Sequence, residues 1–296
     1  EQPLIHAQRR FVHEDIDGYT ALFDEAREHC DVDARRPVNV GLAAHSVRAL
    51  DRSFLRQLAQ LGQDGNYVLH SHVAEQPREI EECLSEHGLR PVELLDELGL
   101  LSERFTAVHA THLTDREISL LADAGASACI CPTTERNLGD GLPRLRDMTD
   151  AGIRLSIGSD SQVRIDPFAE LRALEDGERL RCQARSVLTD DRGQVAPRLI
   201  SAGTSDGSGA TGLKHGEIAT GWRADLIAVD VETLAMEGIG RGKDTEDALL
   251  AGLMLGGQGR DVTDVWIGGR HIISDGAHLR WEAARSRYLE VAEKLW

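Results

Sequence analysis

Positive charge is scarce in this chain: 33 Lys and Arg stand against 50 Asp and Glu, a formal charge of −17. That balance repels nucleic acid and anionic lipid, so neither is expected as a partner. Long apolar runs are absent as well. No stretch approaches the ~20 residues of a membrane helix, and no secretory-type segment is recognisable at the start. The five cysteines are odd in number, and Cys129 and Cys131 lie in an apolar run. Free thiols in a reducing cytoplasm are therefore expected rather than disulfides. The C-x2-C spacing of a structural zinc site is missing, and "GTSDGSG" lacks the lysine of a phosphate-binding loop.

What is present is a regular alternation of apolar and helical segments. At 296 residues the chain is long enough for one large α/β domain or two smaller ones. Short apolar runs near residues 40, 68, 107, 128 and 156 are separated by segments of helical periodicity, which predicts a parallel sheet covered by helices. Asp51 and Thr114 read as helix N-caps and Gly88 as a helix stop. "DPFAELRALEDGERLRCQARSVL" predicts one long helix, and "RLISAGTSDGSGATG" a helix running into a Gly/Ser-rich stretch. From Leu213 the strands are short, with "IGGR" as a hairpin turn, and "WEAARSRYLEVAEKLW" closes the chain as a helix.

Polar side chains collect where these strands end: His45, then His70, His72 and Glu75, then His109 and His112, then residues 133–137, then Asp160. Active sites of parallel α/β folds lie at that end of the sheet. Two histidines one residue apart on a strand share a face, so "HSH" at 70–72 suggests a metal. His70, His72, His109, His112 and Asp160 are the donors available to one. Asp160 in "SIGSD" reads either as a turn or cap residue or as a ligand that takes a proton from a water. Glu75 is a solvated loop carboxylate or a general acid. Arg48 offers the planar fork that suits a carboxylate, or is a surface arginine.

"HSHVAEQ", "VHATHLTDREISLLADAGA", "CPTTERNLGDG", "IGSDSQV" and "GWRADLIAVD" together resemble the amidohydrolase superfamily and, within it, the formimidoylglutamate deiminases. The resemblance runs from about Gln8 to the C-terminus. It implies a TIM (β/α)8 barrel with a small β-sandwich domain and one zinc per subunit, iron or manganese being alternatives. It further implies that His72 and Asp160 are metal ligands and that Glu75, His109 and Asp160 are catalytic. Glu75 would shuttle a proton, His109 would orient the attacking oxygen, and Asp160 would act as base. His45 and Arg48 would hold the carboxylate of a small anionic substrate, N-formimino-L-glutamate, and His70 and His112 would be supporting residues. A homodimer is compatible with this pattern.

Against that pattern, His45 falls at the end of a fourth strand. The five strands are then strands four to eight of a partial barrel, and the H-x-H of a first strand is not in this sequence. Residues 1–210 are expected to form the C-terminal portion of the barrel, and residues 211–296 the C-terminal portion of the sandwich with a final helix. Since the chain opens on Glu1, a fragment is the expectation. Arg136 stands where the family generally has a small residue.

Overall fold

The computed structural model describes residues 12–13, 15–31, 38–161, 165–234, 236–239 and 245–295. Its elements, in chain order, are α1 (Ile16–Asp31), β1 (Leu42–Ala44), α2 (Arg52–Gly65), β2 (Leu69–Val73), α3 (Pro77–His87), α4 (Pro91–Glu97), β3 (Phe105–His109), α5 (Asp115–Asp123), β4 (Ser127–Ile130), α6 (Pro132–Leu138), α7 (Leu145–Asp150) and β5 (Arg154–Ile157). They are followed by α8 (Pro167–Cys182), α9 (Val195–Gly203), α10 (Ser205–Thr211), β6 (Leu226–Val229), α11 (Thr245–Gly256), β7 (Val262–Ile267), β8 (Arg270–Ser274), β9 (Ala277–His278) and α12 (Trp281–Leu295).

All five strands read from the sequence are present, and they lie side by side in chain order, every pair parallel. A doubly wound sheet would reverse its order at a switch point, whereas a singly wound one does not. The order is therefore TIM-barrel-like. Its outer layer is built from helices whose boundaries follow local rules. The Asp51 side chain caps α2 by accepting from the Phe54 N–H at 2.8 Å, Thr114 and Glu117 form a capping box on α5, and Gly88 ends α3 at φ +69°. Capping of this kind satisfies backbone donors that the helix itself leaves unpaired.

Between sheet and helices lies one apolar cluster containing Leu42, Leu55, Leu58, Val73, Leu95, Phe105, Leu121, Ile130, Met148 and Leu174. Phe105, at the start of β3, is fully buried. At the open edge of the sheet the Tyr19 hydroxyl accepts from the Ala43 N–H at 3.0 Å and lies 3.4 Å from the Ala43 carbonyl. The second sheet, β6 to β9, is antiparallel throughout. The expected turn in "IGGR" is there, with Gly268 and Gly269 at φ +56° and +74° between β7 and β8, the left-handed pair that a two-residue hairpin requires.

Three differences from the sequence expectation are informative. The long helix expected over residues 166–188 stops at Cys182, with Gln183 at φ +52° as its cap. The Gly/Ser-rich stretch, to which the sequence reading gave no element of its own, forms α10, packed against β4 and β5. Its glycines serve close approach, because a Cβ on Gly209 would lie 2.9 Å from the Arg154 guanidinium and one on Gly207 3.0 Å from the Ala202 carbonyl. Helix α11 was not anticipated, since a uniformly apolar segment between short strands carries little periodic signal. It leaves the second sheet to pack on α8 and α9. Among the described residues no helix is long and apolar enough to cross a membrane, and all five cysteines are free.

Replacing Phe105 by Ala should lower stability by about 3–5 kcal/mol, because its site is enclosed by the cluster. The same truncation at Leu180, which is 74% exposed, should stay within about 0.5 kcal/mol. Paired urea denaturation curves separate the two.

Candidate active site

His45, Arg48, His72, Glu75, His109, His112 and Asp160 lie at or just beyond the C-terminal ends of β1, β2, β3 and β5, whereas His70 is the second residue of β2 and Arg136 lies on α6; four of the first group converge. His70 and His72 occupy the less buried face of β2, as their spacing predicts. They have different surroundings. The ring of His70 bonds the Ala210 carbonyl at 2.7 Å and is tied to α10. The Nδ1 of His72 lies 2.6 Å from the His45 carbonyl, so that nitrogen carries the proton and donates. Its Nε2 is left with a lone pair, the form a metal-ligating histidine takes.

His109 is the centre of the group. Its ring is stacked on that of His72 at 5.6 Å, and the His72 ring is 5.1 Å from that of His45. His109 Nδ1 meets Glu135 Oε1 at 3.2 Å, while Nε2 lies 3.8 Å from Glu75 Oε1 and 3.9 Å from Asp160 Oδ2. Those last two separations exceed hydrogen-bond length, and Nε2 is buried with no partner among the described residues. Burial opposes a charge on this ring. The bond to Glu135 and the negative charges of Glu75, Glu135 and Asp160 outweigh it and raise the proton affinity of His109.

The backbone here is bent for the purpose. Ala74, His109, Ala110 and Asp160 all have positive φ, between +46° and +67°, a region that L-residues with a Cβ enter at a cost of roughly 1–2 kcal/mol. Local hydrogen bonds hold these turns. Glu79, in the first turn of α3 and fully buried, accepts the Ala74 N–H at 2.9 Å and the Glu75 N–H at 3.1 Å. Burial raises its pKa, opposed by those N–H groups and by Arg48. The Ala110 N–H reaches the Val73 carbonyl at 3.1 Å. Arg48 faces Glu75, Nη2 to Oε2 being 4.0 Å. Burial, and then the charges of His72 and Arg48, lower the pKa of His45.

His112 is not in this group. It bonds the Asp140 carbonyl at 2.7 Å, and Gln76 reaches the Asp140 carboxylate at 3.0 Å, so these residues tie the loops after β2, β3 and β4 together. Arg136 lies on α6 and lines a small cavity of about 140 Å³ against α8. Two buried glutamates escaped the sequence reading, Glu79 and Glu135. Each sits four residues beyond a polar or strand-end position, at Glu75 and Cys131, which is the spacing at which a first-turn side chain folds back on its own loop.

His72 Nε2 and a carboxylate oxygen of Asp160, whose side chain is 33% exposed, have the chemistry of metal donors. Among the described residues no group of three or more His, Cys, Asp or Glu could hold an ion. The residues present thus fit a metal as members of a larger set.

Residues 9–272 match the amidohydrolase family, and the chain belongs to it. It is 35% identical over 99% of its length to formimidoylglutamate deiminase of Pseudomonas aeruginosa, covering 63% of that protein. To 5-methylthioadenosine/S-adenosylhomocysteine deaminase of Natronomonas pharaonis it is 28% identical over 80% of its length, covering 53% of that protein. Among solved structures, an amidohydrolase from Brucella melitensis superposes with a TM-score of 0.87 at 34% identity, over 99% of this chain and 62% of that one. An adenosine deaminase from Xanthomonas campestris with bound zinc gives 0.82 at 25% identity, over 95% and 62%. The chain thus spans less than two thirds of the length of each of these relatives.

Removing the Glu79 carboxylate leaves the Ala74 N–H buried without an acceptor. Glu79→Ala should cost about 1–3 kcal/mol for that reason. Glu82→Ala, at the surface of the same helix, should cost less than about 0.5 kcal/mol. Chemical denaturation monitored by circular dichroism reads both.

Proposed function

We propose that this chain carries the catalytic half of a zinc-dependent deiminase that hydrolyses N-formimino-L-glutamate to N-formyl-L-glutamate and ammonia. The observation that carries the reading is the buried, unpartnered Nε2 of His109, held between the carboxylates of Glu75 and Asp160. The similarity to the Pseudomonas aeruginosa deiminase supports the choice of substrate. On this reading the five parallel strands are the fourth to eighth of an eight-stranded barrel. Residues 1–210 belong to that barrel and residues 211–296 to a β-sandwich domain, from which α11 returns to the barrel. The remaining metal donors are supplied from outside the described residues.

His72 and Asp160 would hold the zinc. When bound, the cation lowers the pKa of a water toward ~7. Asp160 takes a proton from the attacking water, and His109 Nε2, fixed from behind, orients its oxygen. That oxygen bonds to the formimino carbon. As that bond forms, the C=N π electrons move to the nitrogen, which takes a proton from Glu75, 3.8 Å from the same Nε2. The oxygen's remaining proton then passes to that nitrogen through the Asp160 and Glu75 carboxylates, the C–N bond breaks, ammonia leaves and the carbonyl forms. Arg48 and the exposed His45 lie at the rim of this site, where they can pair with the substrate's carboxylates.

A second reading, deamination of an adenosine-type nucleoside, is supported by the likeness to the Natronomonas pharaonis protein. With 5-methylthioadenosine it gives Arg48 no anion to bind, whereas S-adenosylhomocysteine brings a carboxylate of its own, so the two readings separate on one substitution when 5-methylthioadenosine is the nucleoside compared. In the protein complete with its other metal donors, Arg48→Met should raise KM for N-formimino-L-glutamate at least about tenfold, the value of one charge-assisted hydrogen bond. An unchanged KM would favour the nucleoside. Asp160→Asn should reduce kcat by at least about 10²-fold with circular dichroism unchanged. Wild-type turnover in that variant would defeat the assignment. Dialysis against a chelator should abolish ammonia release, and added zinc should restore it.

A further inference from the structure

Glu135 is the one buried carboxylate that touches the centre of the site from behind. It lies in the first turn of α6, is 3% exposed, and uses a single oxygen twice. Oε1 accepts the Cys131 N–H at 2.8 Å and meets His109 Nδ1 at 3.2 Å. A carboxylate can only accept. The nitrogen facing it therefore bears the proton, since two lone pairs in contact inside a buried site would repel. Nε2 then becomes the free nitrogen of His109. Backbone and stacking fix the ring from its other sides: His109 sits at φ +67°, and its plane lies 20° from that of His72.

We propose that Glu135 is a positioning residue that keeps the proton of His109 on Nδ1 and so aims the Nε2 lone pair into the gap between Glu75 and Asp160. The inference rests on the reading of His109 given above as the group that orients the attacking water. With the other tautomer, Nε2 would present a hydrogen to that gap and Nδ1 a lone pair to Glu135. The water would then be turned with its proton away from Asp160. An orienting partner of this kind typically matters by roughly 10–100-fold in activity.

A purely structural role is the rival, because the same oxygen also anchors Cys131 at the junction of β4 and α6. Two variants and two readouts separate them. Glu135→Gln keeps an amide oxygen that can accept from both N–H groups, whereas Glu135→Ala removes the acceptor. In 15N-histidine-labelled protein without substrate, the His109 ring signals, assigned by their loss in His109→Asn, should show the proton on Nδ1 in the wild type and in Glu135→Gln. They should show it moved to Nε2 in Glu135→Ala. In parallel, Glu135→Ala should lose roughly 10–100-fold in kcat with KM within about threefold, and Glu135→Gln should recover most of that loss.

A wild-type His109 protonated on Nε2 overturns the proposal whatever the variants do. So does a Glu135→Ala protein that melts earlier but keeps the wild-type tautomer and kcat, which is the signature of an anchor alone. Because the spectra need no substrate, failure to turn over N-formimino-L-glutamate would count against the substrate assignment and leave the tautomer test standing. Should Glu135→Ala fail to fold, the wild-type spectrum and Glu135→Gln still decide. A Nδ1 proton retained in both supports the proposal, and a Glu135→Gln kcat reduced as far as that of His109→Asn overturns it.

Discussion

A parallel strand that stops leaves backbone N–H groups with no ladder partner, and in this protein buried glutamates accept several of them. Glu79 takes the N–H groups of Ala74 and Glu75 after β2. Glu135 takes that of Cys131 after β4, and Glu170 that of Thr133. Glu117 takes that of Thr114 after β3, while Glu178 takes that of Leu145 and Glu175 those of Val187 and Leu188. Each carboxylate sits on a helix and reaches a loop or the first turn of a neighbouring helix. An unmet buried donor is costly, and an acceptor that is charged and helix-borne meets the need while fixing the loop in place. The site sits on those loops, so the left-handed turns at Ala74, His109 and Asp160 can persist against their own strain.

The same constraint explains what the sequence concealed. All five parallel strands were legible because Leu42 to Ala44, Val68-Leu69, Phe105 to Val108, Ala128 to Ile130 and Leu155 to Ile157 are mostly apolar stretches between helical segments. The convergence of His72, Glu75, His109 and Asp160 followed from their places at strand ends. Glu79 and Glu135 were not legible, because a glutamate in the first turn of a helix looks the same in sequence whether it faces solvent or folds back on its own N-terminal loop. Only the packing of α3 and α6 on the sheet decides that. The Gly/Ser-rich residues 205–211 gave no helix signal for a related reason: low intrinsic helix propensity is overridden where small residues allow a helix to lie close to its neighbours. Arg136 stood out by size in the sequence, and it lines the cavity between α6 and α8.

The two histidines of "HSH" show how far a spacing argument reaches. Alternation places both rings on one face of β2, and that is all it settles. What each ring does depends on which carbonyl it meets. His70 is spent on the end of α10, and His72 is primed by the carbonyl of His45, the residue just past the end of the neighbouring strand. The division of labour within one motif is therefore set by α10 and β1, elements distant in sequence from it.

The hydroxyl of Tyr19 already occupies the N–H of Ala43 at the outer border of the five-stranded sheet. Any further strand that is to lie along Leu42–Ala44 must first evict that side chain, trading one phenolic bond for a run of main-chain bonds. A lone foreign strand that captures a single rung gains nothing from the exchange, whereas a strand in register over several rungs does. Tyr19 thus gives a partner to a main-chain donor that the border of a sheet otherwise leaves open.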